Sequence, residues 1–188
     1  MGALLTADNV VSVWFNRQGT TYDSLWVAQF TLGPAPPFIP PNSTPLTLKP
    51  CVAGAPQQAF RTGSNDTLRL VSAPDVCVDL NGCDTTAGVM DVWTCHVPGD
   101  ACGGAFPSDP AINQRFSINA NGTISYTGAP QFCLTAGSPP GHAWLATPVV
   151  LQECIPGSAN QSWRIAGDVS SEFSVVLAEQ SGACVNVG

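Results

Sequence analysis

Three short patterns recur three times each from residue 46 onward, and this repetition constrains the fold more than any other feature of the sequence. One pattern is a strand-like run that closes on a cysteine: "LTLKPC" (46–51), "VMDVWTC" (89–95) and "VVLQEC" (149–154). The second is a strand, a small turn and a cysteine: "DTLRLVSAPDVCVDL" (66–80), "GTISYTGAPQFCLTA" (122–136) and "EFSVVLAEQSGACVNV" (172–187). The third is an amide pair, one variable residue and an aromatic: "QQAF" (57–60), "NQRF" (113–116) and "NQSW" (160–163). One such unit cannot bury its apolar face alone, so we expect three to pack around an axis.

The composition favours an all-β protein. Only 10% of the residues are charged, and the 188-residue chain contains 18 Gly and 17 Pro. Many turn residues between short apolar runs are typical of β-sandwiches and barrels, and no helical periodicity extends over a useful length.

The charge balance excludes two classes of partner. The chain has six Lys and Arg in total and a net charge of −7, whereas nucleic acids and anionic membranes are bound by basic patches. No apolar run is long enough to cross a membrane, so membrane insertion is not expected.

The eight cysteines predict four disulfides and an oxidising compartment. Their spacing does not match a zinc site, and no cofactor is predicted. Four N-glycosylation sequons begin at Asn42, Asn65, Asn121 and Asn160. These features favour a secreted or extracellular glycoprotein, or one of a lysosome-like lumen.

The chain divides into three segments. Residues 1–32 hold two strand-like runs, "NVVSVWF" and "SLWVAQFTL", and predict a β-ribbon extension. Residues 33–45 are rich in proline and predict an extended linker, because proline cannot join the interior of a sheet. Residues 46–188 contain the repeats.

The repeats resemble the ricin-type lectin domain, a β-trefoil with a Gln-x-Trp signature in each of three four-stranded repeats. The resemblance covers residues 46–188, and it departs from the family where Phe60 and Phe116 replace tryptophan. It implies an all-β fold, a β-trefoil that follows the N-terminal β-ribbon extension, and binding of glycans without catalysis.

The resemblance also implies a disulfide pattern. Two repeats would carry the bridges Cys77–Cys95 and Cys133–Cys154, with the first-strand cysteine first. In the remaining repeat the order is reversed, so the chain is permuted or cut within that repeat and Cys51 would pair with Cys184. Cys83 and Cys102 then pair by elimination.

A ricin-type site uses an aspartate, a polar residue and an aromatic on the second strand, and the Asn-Gln pair. The carboxylate and amides would bond sugar hydroxyls, and the ring would cover the C–H face of the sugar. Only the middle repeat fills these roles, which the resemblance assigns to Asp79, Asp91, Trp93, Asn113 and Gln114, with His96 beside the pocket. We therefore predict one galactose-type site.

The other two repeats are predicted to be degenerate. The third offers Thr135 and Gln152 in place of the aspartate and the aromatic, and the split repeat offers Asn186 and Lys49. Two structural alternatives stay open for the middle repeat. Trp93 could be an ordinary half-buried strand residue, and Asp79 could cap the turn "DLNG".

Three alternatives concern function. The carboxylates of the middle repeat could form a glycosidase pair by their number alone, but no nucleophile motif or phosphate loop is present, so no enzyme is predicted in this chain. The insertion at 96–112 could instead be the exposed loop of a trefoil protease inhibitor, and a purely structural secreted domain is also possible.

The run "NVVSVWFNRQG" resembles a strand pair in the β-sandwich of galactosylceramidase-like glycoside hydrolases, which would make the chain a targeting module of a larger hydrolase.

Overall fold

A computed structural model describes the strands within residues 1–36, at 2–5, 10–15 and 26–31, and then residues 37–96, 112–137 and 147–188. The chain forms two compact units, residues 1–36 and 37–188. The described residues are strands and turns, so the predicted all-β class is confirmed. The described helical segments are short 3-10 turns: Ser64–Asp66, Asn81–Cys83, Ile112–Gln114 and Ala159–Gln161. Within these described ranges no helix combines the length and the apolar character needed to span a membrane.

The first unit contains a three-stranded antiparallel sheet in the order β1 (Gly2–Leu5), β2 (Val10–Phe15), β3 (Trp26–Thr31). The strands β2 and β3 coincide with the two strand-like runs of the sequence. The strand β1 is additional, and it turns the expected ribbon into a sheet. A third strand is physically useful, because an isolated two-stranded ribbon is only marginally stable in water.

In the second unit the described residues form twelve strands, which are joined in one hydrogen-bonded sheet. They are β4 (Thr44–Pro50), β5 (Phe60–Thr62), β6 (Leu68–Leu70), β7 (Val76–Leu80), β8 (Met90–Thr94), β9 (Phe116–Ile118), β10 (Ile124–Tyr126), β11 (Phe132–Ala136), β12 (Thr147–Glu153), β13 (Trp163–Asp168), β14 (Glu172–Leu177) and β15 (Ala183–Val187). The pairings β14–β5–β6–β7–β8–β4–β15–β14 return to their starting strand, so this part of the sheet closes on itself. Closure leaves these strands without a free edge, which protects them from pairing with another chain.

Apolar side chains that alternate along the strands build one core. On the β7–β8 hairpin the core side carries Val78, Leu80, Met90 and Val92, all at most 3% exposed. Because successive side chains of a strand point to opposite faces, the intervening residues of this hairpin lie on the face away from the core. The polar residues of the predicted site are among them.

Three disulfides connect the strands as the repeats predicted: Cys51–Cys184, Cys77–Cys95 and Cys133–Cys154. The first joins positions 133 residues apart, and β4 pairs with β15 next to it. Cys83 is also disulfide-bonded. Its predicted partner, Cys102, lies outside the described residues, so the Cys83–Cys102 bridge stays a prediction that non-reducing peptide mapping can check.

The linker predicted at 33–45 differs from the structure at its end. Residues 37–45 belong to the second unit, and β4 already begins at Thr44. Pro45 is opposite Asp91 in the register of β4 and β8, and its carbonyl accepts a hydrogen bond of 2.9 Å from the Gly188 amide. A proline lacks only the amide hydrogen, so it can still take part in a strand as an acceptor.

Candidate functional site

The β7–β8 hairpin places two aspartates side by side. Asp79 is opposite Asp91 in the antiparallel register, and Cys77 is opposite Trp93. Residues that are paired in this way have their side chains on the same face of the sheet. Asp79, Asp91 and Trp93 therefore share the face of the hairpin that points away from the core.

The Asp79 carboxylate is held by the Asn-Gln pair that follows the insertion. Its Oδ2 atom accepts hydrogen bonds from Asn113 Nδ2 at 2.9 Å and from Gln114 Nε2 at 2.7 Å. No described residue donates a hydrogen bond to Oδ1. Burial, with a smaller contribution from the neighbouring Asp91 carboxylate, raises the pKa of Asp79 to about 7, although the hydrogen bonds from Gln114 and Asn113 lower it.

Asp91 has one partnered oxygen and one unpartnered oxygen. Asn81 Nδ2 donates a hydrogen bond of 2.7 Å to its Oδ2 atom. Its Oδ1 atom is buried and has no hydrogen-bond partner among the described residues, and the same is true of Asn113 Oδ1. Burial raises the pKa of Asp91, and the bond from Asn81 partly opposes this. Buried oxygens without partners are costly, so these two are candidates for bonds to a ligand.

Trp93 and His96 lie at the edge of the site. Trp93 is 37% exposed, which is unusual for a tryptophan on a sheet and leaves part of its ring open to solvent. His96 Nε2 lies 3.5 Å from Asp79 Oδ2, and the His96 amide donates to Gln114 Oε1 at 2.8 Å. The structure thus places all six predicted site residues close to one another.

The contacts of Gln114 recur at two other glutamines, Gln58 and Gln161. In each case the side-chain oxygen accepts from the amide of the residue after a bridged cysteine, namely Val52, His96 and Ile155. The side-chain nitrogen donates to the carbonyl of the residue before that cysteine, namely Pro50, Thr94 and Glu153. It also donates to the residue two positions after the partner cysteine, namely Asn186, Asp79 and Thr135. We call each of these arrangements a glutamine clamp.

The three clamps differ in the residue that they hold. Only the clamp of Gln114 holds a carboxylate, and only there does an aromatic residue stand opposite the cysteine of the first strand. At the corresponding positions of the other two clamps, Gln152 is opposite Cys133 and Lys49 is opposite Cys184. The aromatic residues two positions after the glutamines are Phe60, Phe116 and Trp163, which are 1%, 2% and 4% exposed and pack in the core.

The turn after β7 has its own capping carboxylate. Asp84 Oδ1 accepts from the amides of Thr86 and Ala87 at 2.8 and 3.2 Å. The bonds to Asp79 come instead from Asn113 and Gln114, so the alternative that Asp79 caps this turn finds no hydrogen bond among the described residues.

Two residues of the site were not predicted. Asn81 orients Asp91, and Asn42 Oδ1 accepts hydrogen bonds from the Thr94 amide and hydroxyl at 2.8 and 3.1 Å, which ties the end of β8 to the segment before β4. The sequence gives no direct signal for either contact, since Asn81 lies in a turn and Asn42 in the predicted linker.

Other features lie away from this site. A groove of about 560 Å³ is bordered by the turn Asn119–Thr123 and the segment Cys154–Ser158. The predicted glycosylation residues Asn42, Asn65 and Asn121 are exposed, whereas Asn160 is half-buried. Across the described ranges, no group of three or more His, Cys, Asp or Glu side chains could hold a metal ion.

Comparison with known proteins gives a limited result. No protein family model matches the sequence, and no curated protein matches it. Among solved structures, the chain is similar to a non-toxic homologue of type II RIPs from Momordica charantia (bitter gourd), solved in complex with alpha-methyl-D-galactoside, with a TM-score of 0.46 and 15% sequence identity. The match covers 87% of this chain, which spans 66% of the length of that one.

Proposed function

We propose that residues 46–188 form a ricin-type β-trefoil lectin domain of three four-stranded repeats, permuted or cut within one repeat. The three glutamine clamps support this, because each joins a bridged cysteine pair to an Asn-Gln or Gln-Gln turn in the same way. Residues 1–32 are then an extension that precedes the trefoil. The bridge Cys51–Cys184 would complete the repeat that contains both ends of the domain.

The domain binds a galactose-type sugar through the middle repeat. Asp79 Oδ1 and Asp91 Oδ1 would accept hydrogen bonds from sugar hydroxyls, and so would Asn113 Oδ1, which has no partner among the described residues. The exposed part of the Trp93 ring would cover the C–H face of the sugar. The observation that carries this proposal is that the single clamp holding a carboxylate is also the one beside an exposed aromatic ring.

This binding role does not include catalysis. A glycosidase places its acid and its second carboxylate on either side of the sugar bond. Asp79 and Asp91 instead lie side by side on one hairpin and face the same way. We propose that the chain is a targeting module, as part of a larger glycoside hydrolase, and that it acts outside the cell, where its disulfides are stable.

A glycan array probed with the purified chain tests the proposal. We expect selective binding to glycans with terminal galactose-type sugars. Failure to bind any glycan, together with inhibition of a protease in a parallel panel, would instead support the trefoil-inhibitor alternative.

A further inference from the structure

Two arginines face each other across adjacent strands. Arg61 of β5 is directly opposite Arg69 of β6, although like charges in this arrangement repel each other. The chain has only six Lys and Arg in total, so two arginines would rarely be paired by chance. Within the described part of the chain, neither arginine forms an ion pair with a carboxylate. Glu172 is no exception, although the next residue, Phe173, pairs with Phe60 of β5.

The two side chains differ in how they are held. Arg61 has a buried Nε atom without a hydrogen-bond partner among the described residues. Arg69 donates from Nε to Thr67 Oγ1 at 3.0 Å and from Nη1 to the Pro74 carbonyl at 3.3 Å. Arg69 also lies over Gly63, where an added Cβ would come too close to Nε and Cδ of the Arg69 side chain. One guanidinium is therefore fixed in place, and the other lacks the partners that a half-buried arginine normally has.

A third arginine lies on the same face. The backbone of Arg115 forms an isolated antiparallel β-bridge with Thr67, which is two residues before Arg69. The Nε atom of Arg115 donates to the Asn65 carbonyl at 2.9 Å. Three positive side chains thus gather on one sheet face of a chain whose net charge is −7.

This face continues into the predicted sugar site. The register runs in one line from Arg61 to Arg69, then to Cys77 and to Trp93, across the four strands β5 to β8. Adjacent strands are about 4.8 Å apart, so the backbone of Arg69 is about 10 Å from that of Trp93. The Pro74 carbonyl, which accepts from Arg69, also lies 3.9 Å from Cys95 Sγ, next to His96.

We propose that Arg61 and Arg69 bind an oxyanion group, a sulfate, phosphate or carboxylate, carried by the glycan that occupies the Asp79 site. Guanidinium groups are well suited to such groups, because their donors match the spacing of the oxyanion oxygens. This inference rests on the proposed sugar site and names its ligand class, an acidic rather than a neutral glycan.

Calorimetry on the full chain tests the inference with a neutral galactose-type disaccharide and with its sulfated, phosphorylated and carboxylated derivatives. We expect at least one acidic derivative to bind about tenfold more tightly than the neutral one, with an advantage that decreases as salt is added. Arg61→Gln should remove this advantage and leave neutral binding unchanged. Because the Arg61 side chain makes no hydrogen bond in the described part of the chain, this variant should fold normally, and a thermal melt can check that. The matched control is Arg164→Gln, an exposed arginine on β13, which should retain the preference.

The outcomes separate this inference from the proposed function. If the neutral disaccharide binds but no acidic derivative binds more tightly, the sugar site stands and the arginine site is wrong. The same holds if the preference survives in both Arg61→Gln and Arg69→Lys. If neither neutral nor acidic glycans bind, the proposed function and this inference both fail.

Discussion

The Oδ2 atom of Asp79 lies 2.7 Å from Nε2 of Gln114, and this hydrogen bond joins the carboxylate to a glutamine clamp. The same nitrogen donates to the Thr94 carbonyl at 3.2 Å, just before the bridged Cys95. A structural device that occurs three times in the chain therefore holds the predicted sugar-binding carboxylate in position. It does so without using Oδ1, which stays available to a ligand.

The first prediction concerns pH. The pKa of Asp79 is raised to about 7, so sugar binding through its ionised form should strengthen as pH rises through 7. At pH 5 the affinity should be up to about 100-fold below its value at high pH, because only about one carboxyl in a hundred is then ionised. Calorimetry with one sugar from pH 5 to pH 8.5 checks this. Affinity that does not change over this range would show that the ionised carboxylate is not required.

The same shift predicts how stability depends on pH. The folded state holds the Asp79 proton up to about pH 7, whereas the unfolded state releases it near the ordinary value of 3.8. The contribution of this group to the free energy of unfolding should therefore decrease between about pH 4 and pH 7 and then remain constant. Urea unfolding of the wild type and of Asp79→Asn, compared at several pH values, isolates the contribution. A difference between the two that stays constant with pH would contradict it.

A further prediction concerns the disulfides. The bridge Cys51–Cys184 spans 133 residues and Cys133–Cys154 spans 21. In the chain-entropy model the longer loop stabilises by about 5 kcal/mol and the shorter by about 3 kcal/mol. Replacing both cysteines of the long bridge by serine should therefore lower the free energy of unfolding more than the matched pair of changes at the short bridge. Denaturant unfolding of both double variants measures the difference, and equal losses would be the contrary result.

Gly88 allows a prediction about the fold itself. Its φ is +60°, and an added Cβ would lie very close to the carbonyl oxygen of Leu151 on β12. Gly54 has a similar φ of +72° but nothing within 4 Å of the added atom. Alanine at either position carries the cost of left-handed backbone, and at Gly88 it also pushes the segment before β8 away from β12, which costs about 1–3 kcal/mol more. In thermal melts, Gly88→Ala should therefore have a lower melting temperature than Gly54→Ala. Equal melting temperatures would mean that the backbone at Gly88 does not lie against Leu151 of β12.

The three clamps also predict the number of sugar-binding sites in the chain. Thr135 and Asn186 replace the carboxylate, and Gln152 and Lys49 replace the aromatic, so we expect one sugar per chain and no agglutination of cells. Calorimetric titration gives the stoichiometry directly. Two or three equivalent sites would overturn the assignment of these four residues as degenerate.

The repeats predicted much of the structure because they encode local contacts that recur. The three described disulfides, the buried rings of Phe60, Phe116 and Trp163, and the closeness of Asp79 to Gln114 all follow from aligning the repeated patterns. Contacts that occur once could not be found in this way. The bond from Asn81 to Asp91 depends on the shape of a single turn, and the opposition of Arg61 and Arg69 depends on a register between short strands that no repeat specifies.

The proposed role of Asp79 in sugar binding can be separated from its role in the clamp. Asp79→Ala and Thr135→Ala each remove the side-chain acceptor that a clamp glutamine bonds, so thermal melts must first show that both variants are folded. Sugar binding should be lost only in Asp79→Ala, because millimolar affinity amounts to about 4 kcal/mol and a lost charged hydrogen bond costs about 1.5–3 kcal/mol. Calorimetric titration of the two folded variants with methyl galactoside makes the comparison. No measurable binding by Asp79→Ala beside wild-type binding by Thr135→Ala is the predicted result, and wild-type affinity in a folded Asp79→Ala variant would contradict the proposed site.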